Sequence, residues 1–257
     1  MTALLRCEKL TRRFGGVVAL DGLDVELGEG QVLGLIGPNG SGKTTFFNVL
    51  TGLFPPSSGE VEFAGSRITG LRPQAVYRAG IARTFQRSRL CLPLSIFDNL
   101  MIGNHQRPTH GLWFNLARRD ALRRQLAQAQ EEARELLRTF DPPLADRLFD
   151  PVAGVPMIDR RRIEICRALI SRPRLLLLDE PSAGMTLDET AHLMDDILVV
   201  KRRMTRLTIV LIEHEMSVIE RVTDRCVVLN YGRKIAEGTY GEVARNPQVR
   251  QAYLGLE

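Results

Sequence analysis

The sequence predicts an α/β protein with a buried parallel sheet, a strand-rich N-terminal third and a helical middle. The last hundred of its 257 residues alternate helical stretches with wholly apolar runs, "LLLL" before Asp179 and "TIVLI" before Glu213. Strands apolar on both faces need cover on both sides, which alternating helices provide in a parallel sheet. The first third instead breaks into short strands at glycine and proline turns. Between them, apolar residues recur at spacings of three and four.

In chain order, "LLRCEKL", "LDVEL", "QVLGLIG" and "GEVEFAG" read as strands, separated by Gly15-Gly16, Gly28-Glu29-Gly30 and "PPSSG". Ser41 to Thr51 reads as a helix that interrupts them, and Pro73 to Ala79 as a short helix before the extended "GIARTFQ". From Ser95 to Phe140 the pattern is helical. Leu122, Leu126, Ala129, Ala133, Leu136 or Leu137, and Phe140 form one apolar stripe. Glu131–Arg134 and Glu135–Arg138 set opposite charges on the other side, which a solvated amphipathic helix is enough to explain. "FDPPLADRLFDPVAGVP" reads as a proline-rich loop. Helices from Asp159 to Ser171 and from Leu187 to Thr205 then precede the strands "RLLLLDE" and "LTIVLIE", and a short helix precedes "RCVVLNYGRKIAEG".

The net charge of +5 comes from arginine, with lysine only at 9, 43, 201 and 234. Basic residues are spread without a polybasic run, so the charge points to a mixed surface and to no nucleic-acid partner. Cysteines 7, 91, 166 and 226 include no CxxC pair, which argues against a zinc site or a disulfide framework. The first residues are too charged for a signal peptide, and no apolar run approaches the roughly 18–20 residues that span a bilayer. A soluble chain able to dock on a membrane protein is expected.

"GPNGSGKTT", Gly37 to Thr45, follows an apolar strand and opens a helix, the setting of a phosphate-binding loop. Gly37, Gly40 and Gly42 let the backbone curl so that its amides, those of Asn39, Ser41 and Thr45 among them, face phosphate oxygens. Lys43 supplies a charge for the β- and γ-phosphates of ATP, and the Thr44 hydroxyl a ligand for Mg²⁺. "LLLLDEP" supplies the matching acids. Asp179 ends its strand beside the loop and suits a metal-bound water, while Glu180 stands where a base would polarise the attacking water.

With these residues in this order the chain resembles the nucleotide-binding subunit of ATP-binding cassette (ABC) transporters over nearly its whole length. The resemblance implies a P-loop NTPase cassette: a RecA-like parallel-sheet core, an N-terminal antiparallel β-subdomain and a helical subdomain. It implies a single domain over 1–257, with 1–86 and 160–257 as core and β-subdomain and 87–159 as the helical subdomain. Phe14 in "RRFGG" matches the aromatic that stacks on adenine, and Gln86 in "RTFQ" the glutamine sensing Mg²⁺ and the γ-phosphate. His214 in "LIEHE" matches the histidine at the γ-phosphate, and "SAGMTLDE" the loop that crosses to a second cassette. "GIARTFQRSRL", "LSIFDNLMIG", the insert near "HGLWFNLARRDALRR" and the ending "NPQVRQAYLG" resemble the longer ATPase of branched-chain amino-acid importers. That implies two membrane permease subunits, a periplasmic solute-binding protein and a place on the cytoplasmic face of the bacterial inner membrane. Leu90, Leu92, Leu94, Ile96 and Phe97 either form a groove for a permease helix or simply pack the helical insertion.

One departure stands out. The family's signature, usually Leu-Ser-Gly-Gly-Gln, falls on Val155 to Asp159, where "VPMID" stands instead. Pro156 removes a hydroxyl and an N–H, Ile158 adds a branched side chain where backbone must approach phosphate, and Asp159 adds a like charge. Asp159 is expected to serve as a helix N-cap. In the family this segment grips ATP held by the opposite subunit, so a second, different cassette is favoured over a homodimer. The competing readings are a cassette for another solute or for lipopolysaccharide export, a non-transport ABC protein, or a chain that binds ATP without turnover.

Overall fold

A computed structural model of the chain describes residues 3–86, 88–104 and 119–254. The insert expected near 105–120 falls largely outside the described residues, as does the final glycine of "NPQVRQAYLG". The chain divides into two compact units: Met1–Arg83, Arg174–Pro181 and Thr205–Glu257 in one, Thr84–Pro173 and Ser182–Met204 in the other. The second unit takes in residues 160–173 and 182–204, which the sequence reading drew with the core.

The first unit contains two sheets. β1 (Ala3–Phe14), β2 (Val17–Gly28), β4 (Ser58–Phe63) and β5 (Ser66–Arg67) form an antiparallel sheet in the order β2-β1-β4-β5. Along β2, Leu23, Val25 and Leu27 are buried while Asp24 and Glu26 are exposed, the alternation of a sheet with one wet face. β3 (Val32–Ile36), β6 (Ile81–Arg83), β7 (Leu175–Asp179), β8 (Thr208–Ile212), β9 (Arg225–Asn230) and β10 (Arg233–Gly238) form the second sheet, in the order β10-β9-β3-β8-β7-β6. Its pairings are parallel except at the β9–β10 hairpin. Every residue of β3, β7 and β8 is buried, as their unbroken apolar sequences require.

Helix α1 (Lys43–Leu50) sets Phe46 and Phe47 into a core shared with Leu20, Leu35, Phe63 and Val210. α2 (Pro73–Ala79) has proline in its first turn and ends at Gly80, whose φ of 104° closes the last turn at no steric cost. α8 (Met216–Val222), α9 (Tyr240–Arg245) and α10 (Pro247–Leu254) complete this unit.

The second unit is helical: α3 (Ile96–Gly103), α4 (Arg119–Phe140), α5 (Pro142–Asp146), α6 (Met157–Leu169) and α7 (Leu187–Arg203). The stripe on α4 buries Ala133, Leu137 and Phe140, so Leu137 rather than Leu136 points inward, and Leu126 stays exposed. Arg134 donates to the Ala145 carbonyl at 3.2 Å, and Arg138 reaches two turns back to Glu131 at 3.4 Å. The loop expected over 140–156 contains α5, because Pro142 in its first turn is already set at a helical φ. Asn99 is fully buried and pins the turn before α3, accepting from Cys91 N at 2.8 Å and donating to Cys91 O and Ser95 O at 3.0 Å.

α3 and α6 approach so closely that a Cβ on Gly103 would sit 2.0 Å from the Arg167 carbonyl oxygen. Replacing Gly103 by alanine forces these helices apart and should lower stability by about 1–3 kcal/mol, the usual cost of overpacking. A urea melt with an unchanged midpoint would contradict this close approach.

Candidate nucleotide site

Three neighbouring strands deliver the site. β8 lies between β3 and β7, and all three run parallel. The phosphate loop follows β3, Asp179 ends β7 with Glu180 next after it, and His214 stands two residues beyond β8. The carboxyl ends of adjacent parallel strands form the crevice where open α/β sheets take ligands.

The loop's shape rests on glycine. Gly37 has φ 148°, and a Cβ there would lie 2.1 Å from Leu229 O. Gly42 has φ 108°, and its Cβ would lie 2.5 Å from Ala19 O. Gly232, in the β9–β10 turn, donates its N–H to Ser41 O at 2.9 Å and ties the turn to the loop. Asn39 and Gly40 are exposed at the tip, Thr44 is exposed at the first turn of α1, and Thr45 is half-buried. Lys43 is buried, and its Nζ donates to Gly37 O at 2.6 Å and Pro38 O at 3.0 Å. Burial lowers its pKa, opposed by the charges of Glu180 and Asp179. Ser41 is buried, and its Oγ has no hydrogen-bond partner among the described residues. A buried ammonium and an orphaned hydroxyl in a glycine-shaped loop suit a polyphosphate.

Asp179 is buried and forms an ion pair with Arg83 at 2.6 Å. Arg83 also donates to Asn48 Oδ1 at 2.7 Å and lies over the Phe47 ring at 5.3 Å. Glu180 adopts a φ of 48° and donates its amide to Ile212 O at 2.9 Å, which turns its side chain out of the strand line. Its Oε1 meets His214 Nε2 at 2.7 Å. An ionised carboxylate only accepts, so the imidazole presents Nε2–H to it. Among the described residues no group of three His, Cys, Asp or Glu is placed to hold a metal. Asp179 and the Thr44 hydroxyl fit Mg²⁺, which keeps most of its waters and takes one or two protein ligands beside phosphate.

Phe14 ends β1, with Phe54 edge-on at 5.2 Å and the Arg12 guanidinium 4.4 Å from its ring centroid. Arg12 covers one face of the ring. Gln86 belongs to the helical unit and is exposed.

Within that unit α6 grips the segment carrying Gln86. Arg161 donates to the carbonyls of Phe85 and Gln86, both at 3.2 Å, and pairs with buried Glu164 at 2.8 Å. Glu164 accepts from Arg89 N at 2.9 Å, and Arg167 donates to Arg89 O at 2.7 Å. The spacing 161, 164, 167 puts all three on one helix face. The sequence reading missed this clamp, although charged residues among Ile163, Ile165 and Cys166 were its visible signal.

The start of α6 also differs from expectation. Its N-cap is Pro156, so Asp159 is not the cap but lies in the first turn. There its carboxylate accepts from Arg162 at 2.9 Å, and Arg162 also donates to Asp196 at 2.8 Å. Met157 sits over Gly184, whose Cβ would lie 3.4 Å from the Met157 Cε. Arg160 folds back onto the carbonyls of Val155 and Ala153, at 2.8 Å each.

The family described as ABC transporter matches residues 20–183, which span both the phosphate loop and the β7 acids. The chain belongs to that family, and its fold is an ABC ATP-binding cassette with the nucleotide-hydrolysing function of that class. A second match, described as branched-chain amino acid ATP-binding cassette transporter, covers 233–257. The chain is 38% identical over 252 residues to the high-affinity branched-chain amino acid transport ATP-binding protein LivG of Salmonella typhimurium, covering 98% of each. It is 38% identical over 255 residues to the counterpart BraF of Pseudomonas aeruginosa, again over 98% of each. Among solved structures, an ABC transporter cassette in its ADP conformation superimposes with a TM-score of 0.84 at 29% identity, over 99% of this chain and 100% of that one. A nucleotide-free cassette gives 0.83 at 28%, over 98% and 99%.

Replacing Arg83 by methionine keeps the side chain's bulk but strips a buried carboxylate of its cation. Thermal or urea unfolding should register a loss of about 3 kcal/mol. A loss below about 1 kcal/mol would mean that the Arg83–Asp179 pair behaves like a surface bridge.

Proposed function

We propose that this chain is the ATP-hydrolysing subunit of an importer for branched-chain amino acids, seated on the cytoplasmic face of a bacterial inner membrane. The relatives' names and the match over 233–257 support the solute class. Among the described residues no helix is long and apolar enough to cross a membrane, so permease subunits would supply the path. A periplasmic binding protein would deliver the solute to them.

The observation that carries the mechanism is the 2.7 Å contact of Glu180 with His214 beside the phosphate loop. Lys43, the Ser41 hydroxyl and the amides of Asn39, Gly40, Gly42, Thr44 and Thr45, in the loop that opens at Gly37, would hold the phosphates of ATP. Phe14 would take the adenine on its free face. Glu180 would accept the proton of the attacking water, with His214 fixing its carboxylate and facing the γ-phosphate. Thr44, Asp179 and Gln86 would hold Mg²⁺ directly or through water, and the ion would neutralise developing charge on the phosphates. The clamp of α6 on Phe85, Gln86 and Arg89 would couple the state of Gln86 to the rest of the helical unit.

There, Leu90, Ile96 and Phe97 are buried and pack the unit, while Leu92 and Leu94 each keep 39% of their surface exposed and Phe149 54%. The exposed three suit a permease contact. The family's crossing signature would need open amides at the start of α6. Here Pro156, Met157 over Gly184 and the Asp159 carboxylate occupy that place. A different cassette as partner restores one complete site, built from this chain's loop and the partner's signature.

In the assembled complex, Glu180→Gln should retain ATP binding and lower phosphate release by about 10²–10⁴-fold. The isolated chain should hydrolyse ATP poorly and gain activity with its partner cassette. Brisk turnover by the isolated chain, abolished by Glu180→Gln, would rule out the asymmetric arrangement.

A further inference from the structure

Arg83 has no part in the chemistry above, yet it grips the acid assigned to Mg²⁺. Its Nη2 donates to Asp179 Oδ2 at 2.6 Å, and the two side chains are only 5% and 6% exposed. Its Nη1 donates to Asn48 Oδ1 at 2.7 Å, and the guanidinium lies 5.3 Å from the centroid of the Phe47 ring. Arg83 ends β6 and pairs in register with Leu177 of β7, two residues short of the acid. Its side chain therefore reaches past the end of β7 and across to α1.

Asn48 lies one helical turn beyond Thr44, on the same face of α1. The groups suited to Mg²⁺ are Thr44 and Asp179, and the groups that hold the arginine are Asn48 and Asp179. The two cations therefore draw on one carboxylate and one helix face. Residues four apart on a helix have Cβ atoms about 5–6 Å apart, so the guanidinium sits roughly one turn from the metal's place. Positive charges at such a distance repel, and a carboxylate already paired with a guanidinium attracts a second cation less. The arginine cannot lose its proton to relieve the conflict.

We infer that Arg83 is a positioning residue that competes with Mg²⁺ for Asp179. It holds the acid in place when the metal leaves, and it keeps Mg²⁺ affinity low enough for ready release with spent nucleotide. The inference rests on the reading of Asp179 as the Mg²⁺ acid. Arg83 acts through Asp179 and touches no reacting atom.

The test uses the full chain saturated with ADP, with Mg²⁺ affinity from calorimetric titration. Arg83→Met should bind Mg²⁺ about ten-fold more tightly, whereas Arg83→Lys, which keeps the charge, should stay within about two-fold of the unsubstituted chain. A merely structural arginine predicts the opposite sign, because a loosened site binds metal more weakly. Melting gives a second readout. Arg83→Met should melt lower without metal, and saturating Mg²⁺ with ADP should raise its melting temperature by more than it raises that of the unsubstituted chain. Should the methionine variant fail to fold, the neutral Arg83→Gln decides by the same titration. Unchanged or weakened Mg²⁺ binding in a folded neutral variant overturns the inference alone. Asp179→Asn should weaken Mg²⁺ binding, and a titration it leaves unchanged overturns the reading of Asp179 as well.

Discussion

The β3–β8–β7 ladder is the constraint from which the rest of the site follows. Adjacent strands lie about 4.8 Å apart, so three strands place the phosphate loop, the His214 imidazole and the Asp179–Glu180 pair within about 10 Å along the sheet. Register does the remaining work. Asp179 pairs with Ile212, which sets Glu180 level with the residues leading into His214. Because each strand is wholly buried, a slip would cost apolar burial on both faces, and the polar ends cannot drift. The positive φ at Glu180 costs roughly 1 kcal/mol and turns the carboxylate toward the histidine.

A second layer of order comes from arginine. Arg83 holds Asp179, Arg161 holds the backbone on either side of the Phe85–Gln86 bond, and Arg162 ties Asp159 to Asp196. The planar guanidinium suits these tasks because it serves two or three acceptors at once. In α6 the two uses diverge within two residues. Arg161 serves the Gln86 segment, whereas Arg162 joins Asp159 in the first turn to Asp196 on α7.

How far the sequence reveals this depends on range. The phosphate loop, the apolar strand leading into two acids and the buried parallel sheet implied by alternation were legible, because each is a contiguous pattern with one physical solution. Arg83 was not, since its partner lies 96 residues away and only the β6–β7 pairing brings them together. The misplacement of Asp159 had a local cause. Proline at 156 starts the helix three residues earlier than a search for an acidic cap suggests, and the aspartate finds a cation inside the first turn instead.

The central claim is that the loop, Glu180 and His214 work in this chain while its α6 start cannot complete a partner's site. The most direct measurement is the number of nucleotides trapped in the assembled complex by vanadate after one round of hydrolysis. The account predicts one trapped ADP per pair of cassettes, rising to two when Pro156, Ile158 and Asp159 are replaced by serine, glycine and glutamine. Two trapped nucleotides in the unsubstituted complex would contradict it.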